Sequence, residues 1–346
     1  MTTALVAATV PPVRSRSRRR IGLVVSVGLL ILVLVLSLTL GTRVTSIDSV
    51  FGALFDPVAG NNDHLVIREL RVPRTIIGLV VGAALALAGT LMQGITRNPL
   101  ADPGLLGVNA GASLFVVLAI ALFGVTDPSG YIWFAFAGAA AAAAIVYAVG
   151  TLGREGATPV KLALAGTALT AGLTSIITLL LITDIDTLSS YRFWSVGSLV
   201  NRDLDTVAAL LPFLVVGAIL AFAIGSTLNV LSLGDDLARG LGQGVGVSRA
   251  IAAVSIVLLC GAATALAGPI VFVGLVIPHL VRPFTGPDYR WILAYSAVLG
   301  PVLLVAADVV GRLLSYPSEI EAGLVVAVIG APVLIVIVRR SKTAGL

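Results

Sequence analysis

AIAAVSIVLLCGAATALAGPIVFVGLVIPHLV, residues 250–281, is a run of 32 residues with no acidic or basic side chain apart from His279. As one helix it would extend about 48 Å at 1.5 Å per residue, whereas a bilayer's hydrocarbon core is about 30 Å thick. Gly268-Pro269 stands in its middle, and a proline there removes an amide donor and clashes with the preceding turn. The run therefore predicts two helices joined by a tight turn.

Eight more charge-free runs flank it, at 21–40, 75–96, 103–126, 128–153, 162–183, 206–234, 291–307 and 322–338. With the broken run they predict an all-α, polytopic integral membrane protein of ten transmembrane helices. A tail over 1–20 is expected in the cytoplasm, followed by a ten-helix transmembrane domain over 21–340 that carries an internal cytoplasmic segment at 232–249. Composition agrees: 58% of residues are hydrophobic and 11% charged, against about 25% charged in soluble globular chains. The mean hydropathy is +1.08.

Charge placement tests the span count independently. With the N-terminus inside and ten spans, 15 basic residues fall inside and 7 outside; without the Gly268-Pro269 break the split is 11 to 11. Cytoplasmic loops carry the excess of Lys and Arg, so ten spans with both termini cytoplasmic is the consistent reading. The run from Ile21 is too long for a signal-peptide core and no small-x-small site follows it, which predicts a retained first span. Trp133 and Trp291 are expected as anchors near the outer and inner interfaces.

Several functions are excluded at this level. The two lysines, Lys161 and Lys342, have no nucleotide-binding-loop context, so this chain is read as binding no cofactor and no ATP of its own. Metal-site spacings fail with two histidines and the single Cys260, and Cys260 has packing surroundings. The basic residues sit at span ends and form no stripe for nucleic acid.

Polar residues within the spans leave alternatives open. Thr167, Thr170, Thr174 and Thr178 share one helix face; they could line a water-filled path, or bond their own i−4 carbonyls and knit helices together. Gln93 invites the same two readings. Asp308 and Arg312, four apart, suit an intrahelical ion pair or, for Arg312, contact with an external partner. The segment SLGDDLARGLGQGVGVSR from Ser232 reads as a solvated loop or as a short helix that docks a soluble partner. Gly78 with Gly82, and Gly107 with Gly111, suit close helix approach.

Together, LRVPRTIIGLVVGAALALAGTLMQGITRNPLADPGLLGVNAGA from Leu70, LALAGTAL from Leu162, FWSVGSL from Phe193, LGDDLARGLG from Leu233, AGPIVFVGLVIPHLVR from Ala267 and AADVVGRLL from Ala306 carry a resemblance. The chain resembles the FecCD-type permeases of bacterial ABC importers for iron-siderophores, haem and vitamin B12, from about Arg68 to Val338. The resemblance implies the type II ABC importer permease fold in the bacterial plasma membrane, with no enzymatic chemistry in this chain. It implies a homo- or heterodimer with a second permease, two ATPase subunits that hold ATP and Mg, and an extracellular substrate-binding protein.

Residue by residue, it implies ATPase coupling through Gly234, Asp235, Asp236, Ala238, Arg239, Leu241 and Gly242. It implies binding-protein docking at Arg71, Arg74 and Arg312, where exposed guanidiniums pair with carboxylates. The path would be lined by the fifth and tenth spans, with the threonine stripe and Gln93, and gated inside at Thr158, Pro159 and Val160. One departure is Glu319-Ile-Glu321-Ala-Gly323, where the family usually has E-x-P-x-G; it is expected to alter docking contacts or the electrostatics of the mouth. The expected cargo is an iron(III)-siderophore, with vitamin B12 or haem as alternatives. A reading from a different class is a stand-alone proton-coupled carrier with His279 and Asp308 as its relay.

Overall fold

A computed structural model describes residues 16–41, 44–58, 60–125, 127–152, 158–200, 203–315 and 317–343. The tail through Ser15, and Arg43, Arg154 and Arg202 of the charge count, lie outside them. Ten helices stand where ten spans are predicted, seven of them long and apolar enough to cross a membrane among the described residues: α1 (Arg16–Thr39), α4 (Val72–Thr96), α5 (Val108–Phe123), α6 (Pro128–Thr151), α7 (Pro159–Thr183), α9 (Leu204–Ala223), α12 (Val245–Ala267), α13 (Val273–Thr285), α14 (Tyr289–Leu314) and α15 (Ala322–Thr343). Short helices join them: α2 (Ile47–Phe55), α3 (Asn62–Leu65), α8 (Ile185–Ser195), α10 (Gly225–Leu231) and α11 (Asp235–Gly240). A π-helical turn, Val66–Arg71, leads into α4, and a 3-10 turn, Pro103–Leu106, leads into α5.

The charge-free runs are not all single helices. The 206–234 run divides at Ile224 into α9 and α10. The 250–281 run divides as its sequence predicts, and the join, Gly268 to Phe272, is a non-helical stretch in which the Ile270 amide donates to Gly268 O at 3.0 Å. Gly268 has φ +77°, and a Cβ there would lie 2.3 Å from the Trp194 carbonyl oxygen, so glycine is required by conformation and by contact. Phe272 is also left-handed, at φ 71°. Irregular backbone at membrane depth survives only where protein or a cavity surrounds it. Here the Ser198 amide donates to Ala267 O at 2.8 Å, and the Gly323 amide donates to Gly197 O at 3.0 Å. Three of the motif segments, around Gly197, Gly268 and Gly323, thus meet at one point.

The break reverses the chain. At one end of the run, Arg249 pairs with Asp235, which also holds Arg97 at the C-terminal end of α4. At the other end, Asp288 faces Arg19 at the start of α1 (3.9 Å), and the Tyr295 hydroxyl donates to Arg19 O at 2.7 Å. Both ends therefore lie on the side where α1 begins. Arg312 lies on the opposite side, against Ser37 and Leu40 at the end of α1, together with Arg71 and Arg74. α13 is only 13 residues long, about 20 Å, shorter than the hydrocarbon core of a bilayer.

α4 is the central helix, packed on α12, α13 and α14. Glycines set these crossings: a Cβ on Gly89 would lie 1.9 Å from Gly274 O, and one on Gly82 would lie 2.7 Å from Gly300 O. Of the paired glycines, Gly78 meets Val305 and Gly111 meets Gly138, whereas Gly107 adopts φ +72° before α5. Small residues let backbones approach where apolar burial gives no drive between helices in lipid. Cys260 is buried and free.

Candidate functional site

At the end of the bundle where α1 terminates, a cavity of about 1090 Å³ opens between Arg68, Glu69, Arg71, Arg74, Asp205, Arg312 and Glu319. The three arginines expected to be exposed are buried: Arg71 is 5% exposed, Arg74 9% and Arg312 3%. The reason is local. α1 ends without a basic residue in its last turn, and its final carbonyls need donors from elsewhere. Arg71 Nη1 donates to Leu38 O (2.7 Å), Thr39 O (3.0 Å) and Thr45 Oγ1 (2.8 Å). Arg312 Nη1 donates to Ser37 O and Leu40 O, both at 3.0 Å. Two arginines from outside α1 thus cap it.

Arg74 is held by acids instead. Its Nε donates to both Asp308 oxygens (2.8 and 3.0 Å), and Nη1 pairs with Glu319. Asp308 also takes Arg312 Nη2 at 3.1 Å, so the intrahelical ion pair is present and Asp308 serves two guanidiniums. Glu319, the first residue of the atypical Glu319-to-Gly323 stretch, closes this network. Of the basic residues around the cavity, Arg68 is the exposed one among those described. Asp308 and His279 stand at different levels, because α13 meets α4 near Gly89 and Gln93 and then runs toward the other end.

The opposite end carries a second Asp between two arginines. Asp235 accepts from Arg249 Nη2 at 3.0 Å and from Arg97. Arg97 sits at φ 52° as the C-cap of α4, and Gly234, at φ +113°, lies close beside it. Of the seven residues proposed for coupling, Asp235 is therefore turned inward and Ala238 is fully buried. Gly234 and Gly242 supply positive-φ turns at the two ends of α11. Asp236, Arg239 and Leu241 face outward, Asp236 and Arg239 pairing at 3.1 Å. Sequence reasoning missed Leu233 and Leu237, which with Leu241 are 60%, 52% and 58% exposed. The four-residue spacing of Leu237 and Leu241 was the available signal, whereas Leu233 precedes the helix, on the far side of Gly234. Nearby, burial tends to raise the Asp288 carboxyl, but hydrogen bonds from Arg290, Asn229 and the Arg290 amide outweigh it and hold the group below the usual carboxylate range.

The two candidate path features separate. Gln93 is 1% exposed and does not face an open path; its Nε2 donates to Leu275 O (3.2 Å) and Gly274 O (3.4 Å). Pro278 cannot donate to the Gly274 carbonyl four residues before it, so Gln93 supplies a missing bond between α4 and α13. The threonine face of α7 is uncovered. Thr167, Thr174 and Thr178 are exposed and Thr170 half-buried, while Thr167 and Thr178 also bond carbonyls of their own helix. Thr158 caps α7, its Oγ1 accepting from the Lys161 amide at 3.4 Å, with Pro159 in the first turn and Val160 exposed.

Comparison with known proteins places this architecture. The chain is 46% identical over 312 residues to the Escherichia coli (strain K12) ferric enterobactin transport system permease protein FepD, covering 89% of this chain and 92% of that one. It is 42% identical over 329 residues to the Bacillus subtilis (strain 168) Fe(3+)-citrate import system permease protein YfmD, covering 95% and 97%. A solved structure described as an inward-facing conformation of a metal-chelate type ABC transporter matches with a TM-score of 0.80 at 28% identity, over 94% of this chain and 99% of that one. The FecCD transport family model matches residues 29–340. With its bundle of apolar helices and broken seventh run, this multi-pass membrane chain belongs to the FecCD transport family.

Proposed function

We propose that this chain is the membrane-spanning subunit of an ATP-binding cassette importer that passes an iron(III)-siderophore from an extracellular substrate-binding protein into the cytoplasm. The observation that carries it is the match, over nearly all of the chain, to permeases named for ferric chelates. Both termini are cytoplasmic, following the 15-to-7 charge bias. ATP and Mg sit on two partner ATPase subunits. Those subunits grip the outward residues of the 232–249 segment: Leu233, Leu237, Leu241, Asp236 and Arg239.

A second permease, identical or related, covers the open face of α7. The path then runs between the two copies along Thr167, Thr170, Thr174 and Thr178, with α15 beside it and Thr158, Pro159 and Val160 at its inner gate. At the outer mouth the binding protein's carboxylates meet Arg68 directly. They reach Arg74 by competing with Glu319, while Arg71 and Arg312 act mainly by holding the end of α1. ATP binding and hydrolysis shift the population between outward- and inward-facing states.

The test is uptake of a radiolabelled ferric siderophore into vesicles holding this chain with its ATPase and binding protein. Uptake should require ATP and be lost when Leu237→Glu and Leu241→Glu are combined. Uptake driven by a proton gradient without the ATPase would overturn the proposal in favour of a stand-alone carrier.

A further inference from the structure

The helix α2 has two apolar sides. Val50 and Ala53 are buried against Leu38 of α1 and against Ile67 and Val72 at the entry to α4. Ile47 (57% exposed), Phe51 (59%) and Phe55 (79%) are uncovered, as is Val44 (72%) just before the helix. At 100° per residue, Ile47, Phe51 and Phe55 fall within about 80° of arc, and the two phenylalanine rings stack 6.1 Å apart. A nine-residue helix that presents such a row to water would lose the burial that makes those residues worth carrying.

Its depth is fixed by hydrogen bonds. The Thr45 amide donates to Thr39 O at 3.0 Å, Thr45 Oγ1 donates to Leu38 O at 3.3 Å, and Arg71 ties the same carbonyls to Thr45. α2 therefore starts at the level of the last turn of a transmembrane helix, where hydrocarbon gives way to headgroups. α1 itself is mostly uncovered by protein, so the apolar row continues a lipid-facing surface. The helix carries Asp48 in its first turn and Asp56 at its cap, with no basic residue, so attraction to anionic headgroups does not hold it.

We propose that α2 is an interfacial helix seated in the outer leaflet, with Ile47, Phe51 and Phe55 packed among the first methylenes of phospholipid chains. Only the word outer rests on the orientation given under the proposed function. The test places a nitroxide at Phe51→Cys in a Cys260→Ala background of the full chain, reconstituted in phosphatidylcholine–phosphatidylglycerol vesicles. It compares relaxation by oxygen with relaxation by a water-soluble nickel chelate, and Phe55→Cys serves if the first variant does not fold. Val25→Cys on α1 and Asp236→Cys are the lipid and water references. Oxygen should exceed nickel several-fold, close to the Val25 reference. A nickel-dominated label like that at Asp236 overturns the proposal. So does a nickel response that disappears only when the binding protein is added, which would make this row a protein-docking surface. The ratio reads depth and not side, so a reversed orientation would leave it unchanged and the two readings fail separately.

Discussion

The two ends of the bundle carry the same motif in different surroundings: one aspartate between two arginines. At the end where α1 terminates, Asp308 joins Arg74 and Arg312, and its side chain is 1% exposed. At the end where α1 begins, Asp235 joins Arg97 and Arg249, and its side chain is 23% exposed. The shared Asp and its two arginines are matched, with Glu319 added on Arg74 at the first end, and solvent is the larger difference between them. In a dry site an orphaned charge has no water to replace its partner, whereas a half-wet site lets water substitute.

The comparison can be broken by deleting the shared acid. Asp308→Ala removes the acid shared by Arg74 and Arg312 from the dry end, leaving Glu319 as the one acid on Arg74 and the α1 carbonyls on Arg312, and should cost about 3–5 kcal/mol of stability, read as a large drop in unfolding temperature in mild detergent. Asp235→Ala removes a carboxylate from the buried Arg249 but leaves Arg97 able to reach water, so about 1–3 kcal/mol is expected in the same assay. Equal losses would mean that burial is not what separates the two clusters.

Salt sharpens the contrast further. Raising ionic strength from 0.1 to 1 M shortens the screening length from about 10 to about 3 Å. The difference between wild type and Asp235→Ala should then shrink, while that for Asp308→Ala should hold. The smallest effect is expected at Asp236→Ala, whose pairing with Arg239 is fully in solvent. Unfolding there should not change measurably, so any loss of ATPase coupling in this variant would report on the partner and not on the fold.

Much of this architecture was legible in the sequence. The Gly268-Pro269 break set the number of spans, and its parity put Arg312 with Arg71 and Arg74, where the structure also finds them. What the sequence misjudged was exposure. Arg71 and Arg312 looked free because the carbonyls they cap belong to α1, 32 and 275 residues away for Thr39 and Ser37. Gln93 looked like a polar lining residue because the carbonyl it serves is released by Pro278 on another helix. Within α11, the acids and arginine stood out by charge. The leucines that share its outward side look like ordinary membrane residues in a chain this apolar.

The division follows from the range of the forces. Span number and direction depend on bilayer thickness and on the cost of moving charge through it, and both act on each stretch of sequence by itself. Which guanidinium is already paired, and which helix face is left bare, depends on contacts such as Arg74 to Asp308 across 234 residues. Only packing of the whole bundle brings such groups within hydrogen-bond reach, so the tertiary structure alone decided them.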